Sequence, residues 1–171
     1  MIHPILTYPD PLLKKISQPV TQFDSALQQL VSDMFDTMYN ANGVGLAAPQ
    51  IGILRRICVL DPASGKEEEA QPLVLINPQI LSGEGLTTFE EGCLSVPGYY
   101  GEIKRYERIQ VQFNDLQGQE QTAILDGFTA IIAQHEMDHL NGKLFIEHLG
   151  SSERDLIRRK IRKAMKEGSY Q

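Results

Sequence analysis

Apolar residues recur along this chain in two rhythms, and the switches between them mark out its elements. From 24 to 39, Leu27, Leu30, Val31, Met34, Phe35 and Met38 keep the i, i+3, i+4, i+7 spacing that lays one apolar stripe along a helix. Asp24 supplies an N-cap and Asn42-Gly43 a stop. Met34 and Met38 read as core packing rather than as ligands. The middle of the chain is β-rich. Residues 56–60 and 73–76 are short aliphatic runs, and 61–71, with its Pro, Gly and consecutive glutamates, is a solvated loop between them. Ile109-Gln110-Val111-Gln112-Phe113 alternates apolar and polar as a half-buried strand does, Leu116-Gln117-Gly118 is its turn, and 121–125 is the return strand. Helical spacing resumes over 127–140. There Phe128, Ile131 and Ile132 share a stripe with His135 and His139, and Asn141-Gly142 ends the helix. A last helix, roughly 152–166, turns Leu156, Ile157, Ile161, Ala164 and Met165 inward and its basic residues outward.

No repeat and no linker divides the chain, and its 171 residues read as one domain, 1–171. Neither a basic n-region nor a long apolar run is present, which predicts no secretion signal and no membrane span. Two cysteines make no disulfide framework and fit a reducing, cytoplasmic location. Cys58, inside Ile57-Cys58-Val59-Leu60, reads as a small core hydrophobe. The net charge of −6 is unevenly spread: residues 1–149 hold 9 Lys/Arg against 19 Asp/Glu, and residues 150–171 hold 7 against 3. A basic tail on an acidic body suits either a solvated helix face or contact with a polyanion such as RNA. The small-residue segment Gly43-Val44-Gly45-Leu46-Ala47-Ala48-Pro49-Gln50 reads as a loop; it lacks the glycine spacing and the Lys-Ser/Thr of a phosphate loop, which excludes nucleotide binding. Its glycines let backbone approach a ligand or another strand closely.

The chemistry concentrates in Gln134-His135-Glu136-Met137-Asp138-His139. H-E-x-x-H on a helix places two imidazoles about 40° apart around the axis, within reach of one metal. Glu136 falls in a neighbouring sector, where it takes a proton from water without being a ligand. A metal that activates water usually has three protein ligands and an open position. One protease class finds its third ligand by extending the motif to a further His, but Phe145 occupies that position here, and His148 lies past the required spacing. The upstream candidate is Cys93, in Glu90-Glu91-Gly92-Cys93-Leu94-Ser95-Val96-Pro97; taken alone, it reads equally as a buried thiol.

Three segments together change that weighing. Gly43 to Gln50, Glu91-Gly92-Cys93-Leu94-Ser95, and Gln134 to His139 resemble, in order and spacing, the three signature motifs of the peptide deformylase family. The resemblance runs from Pro9-Asp10-Pro11-Leu12 to Leu144-Phe145. It implies an α+β fold, with antiparallel strands packed around the motif-bearing helix and a helix towards each end. It implies removal of the formyl group from the N-terminal formyl-methionine of new polypeptides. By the family's pattern Cys93, His135 and His139 hold one divalent metal ion and Glu136 is general base, then acid. The Gln50 amide and the Leu94 backbone N–H receive the oxyanion. Gly45 offers backbone to the peptide, and Val44, Phe128 and Ile131 form the methionine slot. The resemblance points to Fe2+ in the cell, with Zn2+, Ni2+ or Co2+ able to occupy the site, although Cys-His-His donors favour zinc on intrinsic affinity. It further implies N-formyl-methionyl nascent peptides as partners and ribosome contact through the basic last helix. A monomer is expected, since no large apolar stripe is left unassigned.

Glu91 and Asp138 read either as partners that orient the ligands or as plain salt-bridge residues, and His3 and His148 as surface residues. The chain departs from the family at Tyr100, where Arg is common, and at Lys104, before Arg105, where Pro is common; both positions are expected outside the metal site. Two other readings stay open on the residues alone. One is an H-E-x-x-H endopeptidase, which Phe145 counts against. The other is a non-enzymatic binding module, which the presence of Cys93, Glu136 and Gln50 counts against.

Overall fold

The computed structural model describes residues 1–170. Helices α1 (Ser25–Asn40), α2 (Gly127–Leu140) and α3 (Ser151–Lys166) accompany strands β1 (Gly45–Ala47), β2 (Ile57–Leu60), β3 (Leu73–Cys93), β4 (Val96–Asn114) and β5 (Glu120–Asp126). The strands form one antiparallel sheet in the order β1-β2-β3-β4-β5. This is the expected α+β class.

Helix α1 begins where the pattern predicts, because the Asp24 carboxylate accepts the Leu27 N–H at 3.0 Å and satisfies an otherwise orphaned donor. Its buried stripe, Leu27, Val31, Met34 and Met38, packs on Leu46, Ile57, Val59 and Ile76. Cys58 and Leu60, the alternate residues of β2, instead meet Ala133, Met137 and Leu140 of α2. Strand β2 is therefore buried on both faces, which is why it reads as a continuous apolar run. A third cluster joins Leu13, Val96 and Ile103 to Phe145, Ile157 and Ile161 near the C-terminus.

Three expectations change. The segment after Asn42-Gly43 is not all loop: Gly45, Leu46 and Ala47 pair with Leu60, Val59 and Cys58, and a 3-10 turn follows over Ala48–Ile51. A run of small residues carries no β-propensity signal, so its pairing is imposed by β2. The strands read at 73–76 and 109–113 are ends of β3 and β4, which continue as a long hairpin with register shifts after Ile76, Ile80 and Gly92. Around residues 81–90 this hairpin is exposed on both faces, so no alternation betrays it. In α3 only Ile157 and Ile161 are buried, whereas Leu156 and Met165 are exposed and Ala164 is half-buried. Neighbouring helical residues lie about 100° apart, so a stripe centred on Ile157 and Ile161 turns Leu156 out.

Candidate active site

His135 and His139 sit on the last turns of α2, their rings 5.2 Å apart and 71° to one another. Cys93 ends β3 and pairs with Val96 across the two-residue hairpin loop Leu94-Ser95, which delivers the thiol to the histidines. Its Sγ lies 3.4 Å from His139 Nε2, and ligand atoms of Cys93, His135 and His139 all fall within 4.8 Å of one another.

These donors fit a metal. A thiol and two imidazoles are the donor set that suits zinc and ferrous iron. His135 Nδ1 bonds Glu91 Oε1 at 2.8 Å, which commits that nitrogen to the carboxylate and leaves Nε2 for the site. Burial and the adjacent His135 push His139 well below the usual histidine range, so its ring is neutral and able to ligate. Burial alone would lower His135 too, but the Glu136 charge and hydrogen bonds with Cys93 and Glu91 raise it well above that range. Among the described residues buried Glu136 Oε1 has no hydrogen-bond partner, and it lies 3.9 Å from His139 Nε2, a geometry that calls for a polar occupant. Burial is also the main reason the Glu136 carboxyl is pushed up to about 7.

Behind the ligands stands a buried ion network. Arg105 Nε and Nη2 each donate to Glu91 at 2.8 Å, and Nη1 donates to Asp138 at 2.6 Å. His148 Nε2 lies 2.8 Å from the same Asp138 oxygen. Glu91 meets the ligand His135 directly, Asp138 reaches it only through Arg105, and His148, exposed as expected, sits at the outer edge of the network. His3 is likewise engaged, 3.2 Å from Asp33. The role of Arg105 was not read from the sequence. Its signal lay in the period-two run Gly101, Ile103, Arg105, all buried on one face of β4.

The Gln50 amide is held at both ends. Its Oε1 accepts the Ala47 N–H at 2.9 Å, while Nε2 donates to Ser95 Oγ at 3.1 Å and lies 3.6 Å from Cys93 Sγ. Ser95 is a second residue that sequence reasoning missed. Leu94, Gly45, Val44, Phe128 and Ile131 all line one cavity of about 510 Å3 with Gln50, Cys93, His135 and Glu136. The Phe128 ring packs 5.5 Å from Phe89, which lines the same cavity. A Cβ on Gly45 would run into the Glu136 carboxylate, so glycine is what admits backbone there. Tyr100 lines this cavity without joining the metal cluster, as expected, whereas Lys104 lines a separate one behind α2. Phe145 stacks at 6.4 Å on His135 as packing, and the only three-residue His/Cys/Asp/Glu cluster suited to a metal among the described residues is the one above. The protease-type extension therefore has no third histidine to use.

Comparison with known proteins gives the same answer as the geometry. A sequence profile described as polypeptide deformylase matches residues 2–155. The peptide deformylase of Alkalilimnicola ehrlichii is 47% identical over 164 residues, covering 96% of this chain and 91% of its own. The crystal structure of the Legionella pneumophila peptide deformylase superposes with a TM-score of 0.89 at 46% identity, covering 100% of this chain and 99% of that one. The Ehrlichia chaffeensis peptide deformylase, solved in complex with actinonin, superposes at 0.87 with 40% identity, covering 95% of this chain and 96% of that one. A chain so alike in sequence, fold and motif order belongs to the peptide deformylases, metal-dependent hydrolases that remove the formyl group from the N-terminal methionine of nascent peptides.

Proposed function

We propose that Cys93, His135 and His139 hold one divalent ion, Fe2+ in the cell, and that Glu136 is the proton carrier of deformylation. The observation that carries this reading is the convergence of the thiol and both imidazoles beside a buried carboxylate with a free oxygen. When bound, the ion acidifies water towards a pKa of ~7 and polarises the formyl oxygen. Glu136 takes a proton from the attacking water, and burial, which raises its proton affinity, suits it to hold that proton and then give it back. The Gln50 Nε2 and Leu94 N–H groups donate to the formyl oxygen as negative charge grows on it, each worth roughly 3 kcal/mol in such sites. Glu136 then protonates the leaving nitrogen, the C–N bond breaks, and formate departs from the freed amine. The methionine side chain lies among Val44, Phe128 and Ile131, and the Gly45 backbone faces the peptide.

The test is formate release from a formyl-Met peptide by anaerobically iron-loaded protein. Glu136→Gln is expected to lose at least 10² in kcat while metal analysis still shows one ion per chain. Turnover by that variant at the parent rate would remove Glu136 from the mechanism. Actinonin, bound by the Ehrlichia relative, should compete with the peptide.

A substrate carried on newly made chains supports a cytoplasmic enzyme working beside the ribosome. Arg159, Arg162 and Lys163 lie exposed on α3, while Ile157 and Ile161 anchor its other side. Reversing those three charges should weaken ribosome cosedimentation and flatten its salt dependence without unfolding the helix. Unchanged binding would retire the contact. Among the described residues no helix is long and apolar enough to cross a membrane.

A further inference from the structure

We propose that the Ser95 hydroxyl is a positioning group for the reaction: it locks the Gln50 amide in the orientation that presents one N–H to the reacting carbonyl. The inference rests on the reading of Gln50 as an oxyanion donor.

A glutamine amide has two N–H donors on one side and an acceptor oxygen on the other. The Ala47 N–H, 2.9 Å from Oε1, is a pure donor, so it identifies the oxygen end. One Nε2 hydrogen is then taken by Ser95 Oγ at 3.1 Å. The second lies towards Cys93 Sγ at 3.6 Å, and sulfur is a weak acceptor. That weaker contact is the one a substrate oxygen can replace.

The terminal torsion of a glutamine is broad, so an amide held only through its oxygen would swing. A donor stabilises a transition state fully only when it needs no reorganisation at the moment of reaction. Two partners on opposite ends of the amide remove that freedom. Both residues are sealed from solvent, Gln50 at 1% exposure and Ser95 at 0%. Ser95 is itself fixed, since its carbonyl accepts the Tyr8 N–H at 2.7 Å and its own N–H points to Cys93 Sγ at 3.4 Å. Those backbone contacts survive any side-chain substitution, so replacing the side chain isolates the hydroxyl.

The experiment is a double-mutant cycle on metal-loaded enzyme with a formyl-Met peptide. Ser95→Ala should lower kcat about tenfold with KM little changed, and Ser95→Thr, which keeps the oxygen, should restore it. In a Gln50→Leu background, Ser95→Ala should have almost no further effect. An independent readout is hydrogen exchange of the Gln50 side-chain NH2 in the zinc-loaded protein, identified by its loss in Gln50→Leu. It should be slow in the parent and in Ser95→Thr, and faster in Ser95→Ala. If Ser95→Ala does not fold, the equally shaped pair Ser95→Thr and Ser95→Val makes the same comparison.

Parent-like kcat and exchange in Ser95→Ala, beside a slow Gln50→Leu, would overturn the positioning role and leave the oxyanion reading standing. Equal losses from Ser95→Ala in both backgrounds would show that Ser95 acts elsewhere, which also overturns it. A parent-like kcat in Gln50→Leu would remove both readings together.

Discussion

Replacing Arg105 by methionine tests whether the ions behind the ligands hold the metal site or merely accompany it. The Arg105 side chain is 4% exposed and makes three charge-assisted bonds, two to Glu91 and one to Asp138. Burial opposes the Glu91 charge, yet Arg105 first and His135 second bring its carboxyl from an ordinary 4.5 down to about 2. At 1.36 kcal/mol per pKa unit, the whole depression, to which Arg105 and His135 both contribute, corresponds to about 3 kcal/mol. Removing one partner of a buried pair costs about 3–5 kcal/mol. In a domain of this size that lowers the midpoint of thermal unfolding by about 10 °C. Glu91 would also lose the two bonds that aim it at His135 Nδ1, and loss of such support typically weakens metal binding about 10–100-fold. Arg105→Lys should recover less than half of either loss, because an ammonium cannot grip a carboxylate with two parallel bonds. Calorimetry and chelator competition at pH 7.5 measure the two quantities separately. A midpoint within about 3 °C of the parent, with unchanged metal affinity, would refute the claim that Arg105 supports the ligand His135.

Gly45→Ala should fold, since Gly45 lies in strand β1 and not at a positive φ, but its Cβ would press into the Glu136 carboxylate and lie 2.8 Å from Ile132 Cγ2. Displacing the proton carrier should cost at least tenfold in kcat, ~1.4 kcal/mol; a parent-like kcat at parent stability would show that Glu136 has room. Tyr39→Phe addresses pH. Burial opposes the Asp61 charge, but the Tyr39 hydroxyl at 2.6 Å and the N–H groups of Gln71 and Ala63 hold its carboxyl below the usual range. A depressed carboxyl stabilises the fold above its unfolded value, and that contribution disappears as pH falls through the folded one. Removing the phenol raises the folded value, so acid unfolding should begin at a higher pH, with about 1–2 kcal/mol lost at pH 7. An unchanged acid transition would deny Asp61 this role.

What the sequence makes legible depends on how local each signal is. The H-E-x-x-H spacing, the Asp24 cap and the α1 stripe are decided within a turn or two, and each stands where the pattern puts it. Strand β1 and the outer reaches of β3 and β4 are decided by partners. Leu46 is in a strand because Val59 lies opposite, and Leu86 because it faces Tyr106 in a hairpin that water touches on both sides. Cys93 was legible only through its motif, since an isolated thiol looks the same whether it packs or ligates. Arg105 and Ser95 were not legible as functional residues, because their partners lie 14 and 45 positions away.

The burial of α2 explains why so short a motif can do so much. A surface helix spends its polar residues on water, but from Ala130 to Leu140 only Asp138 escapes full burial. Most polar groups of the motif therefore find a protein partner, since an unpaired buried polar group is costly, and Glu136 Oε1 is an exception that faces the site. Gln134 completes the ladder of the hairpin by exchanging two bonds with the Tyr106 backbone at 2.8 and 3.0 Å. Asp138 turns to Arg105 and His148, while His135 and His139 turn to Cys93 and Glu136 lies against Gly45. Six consecutive residues thereby tie β1, the β3–β4 hairpin and the C-terminal segment to a single helix. The same contacts that bury the motif fix the separation of thiol, imidazoles and carboxylate. A substitution that loosens the β3–β4 hairpin from Gln134 should accordingly reach the chemistry even when it leaves all four reacting side chains in place.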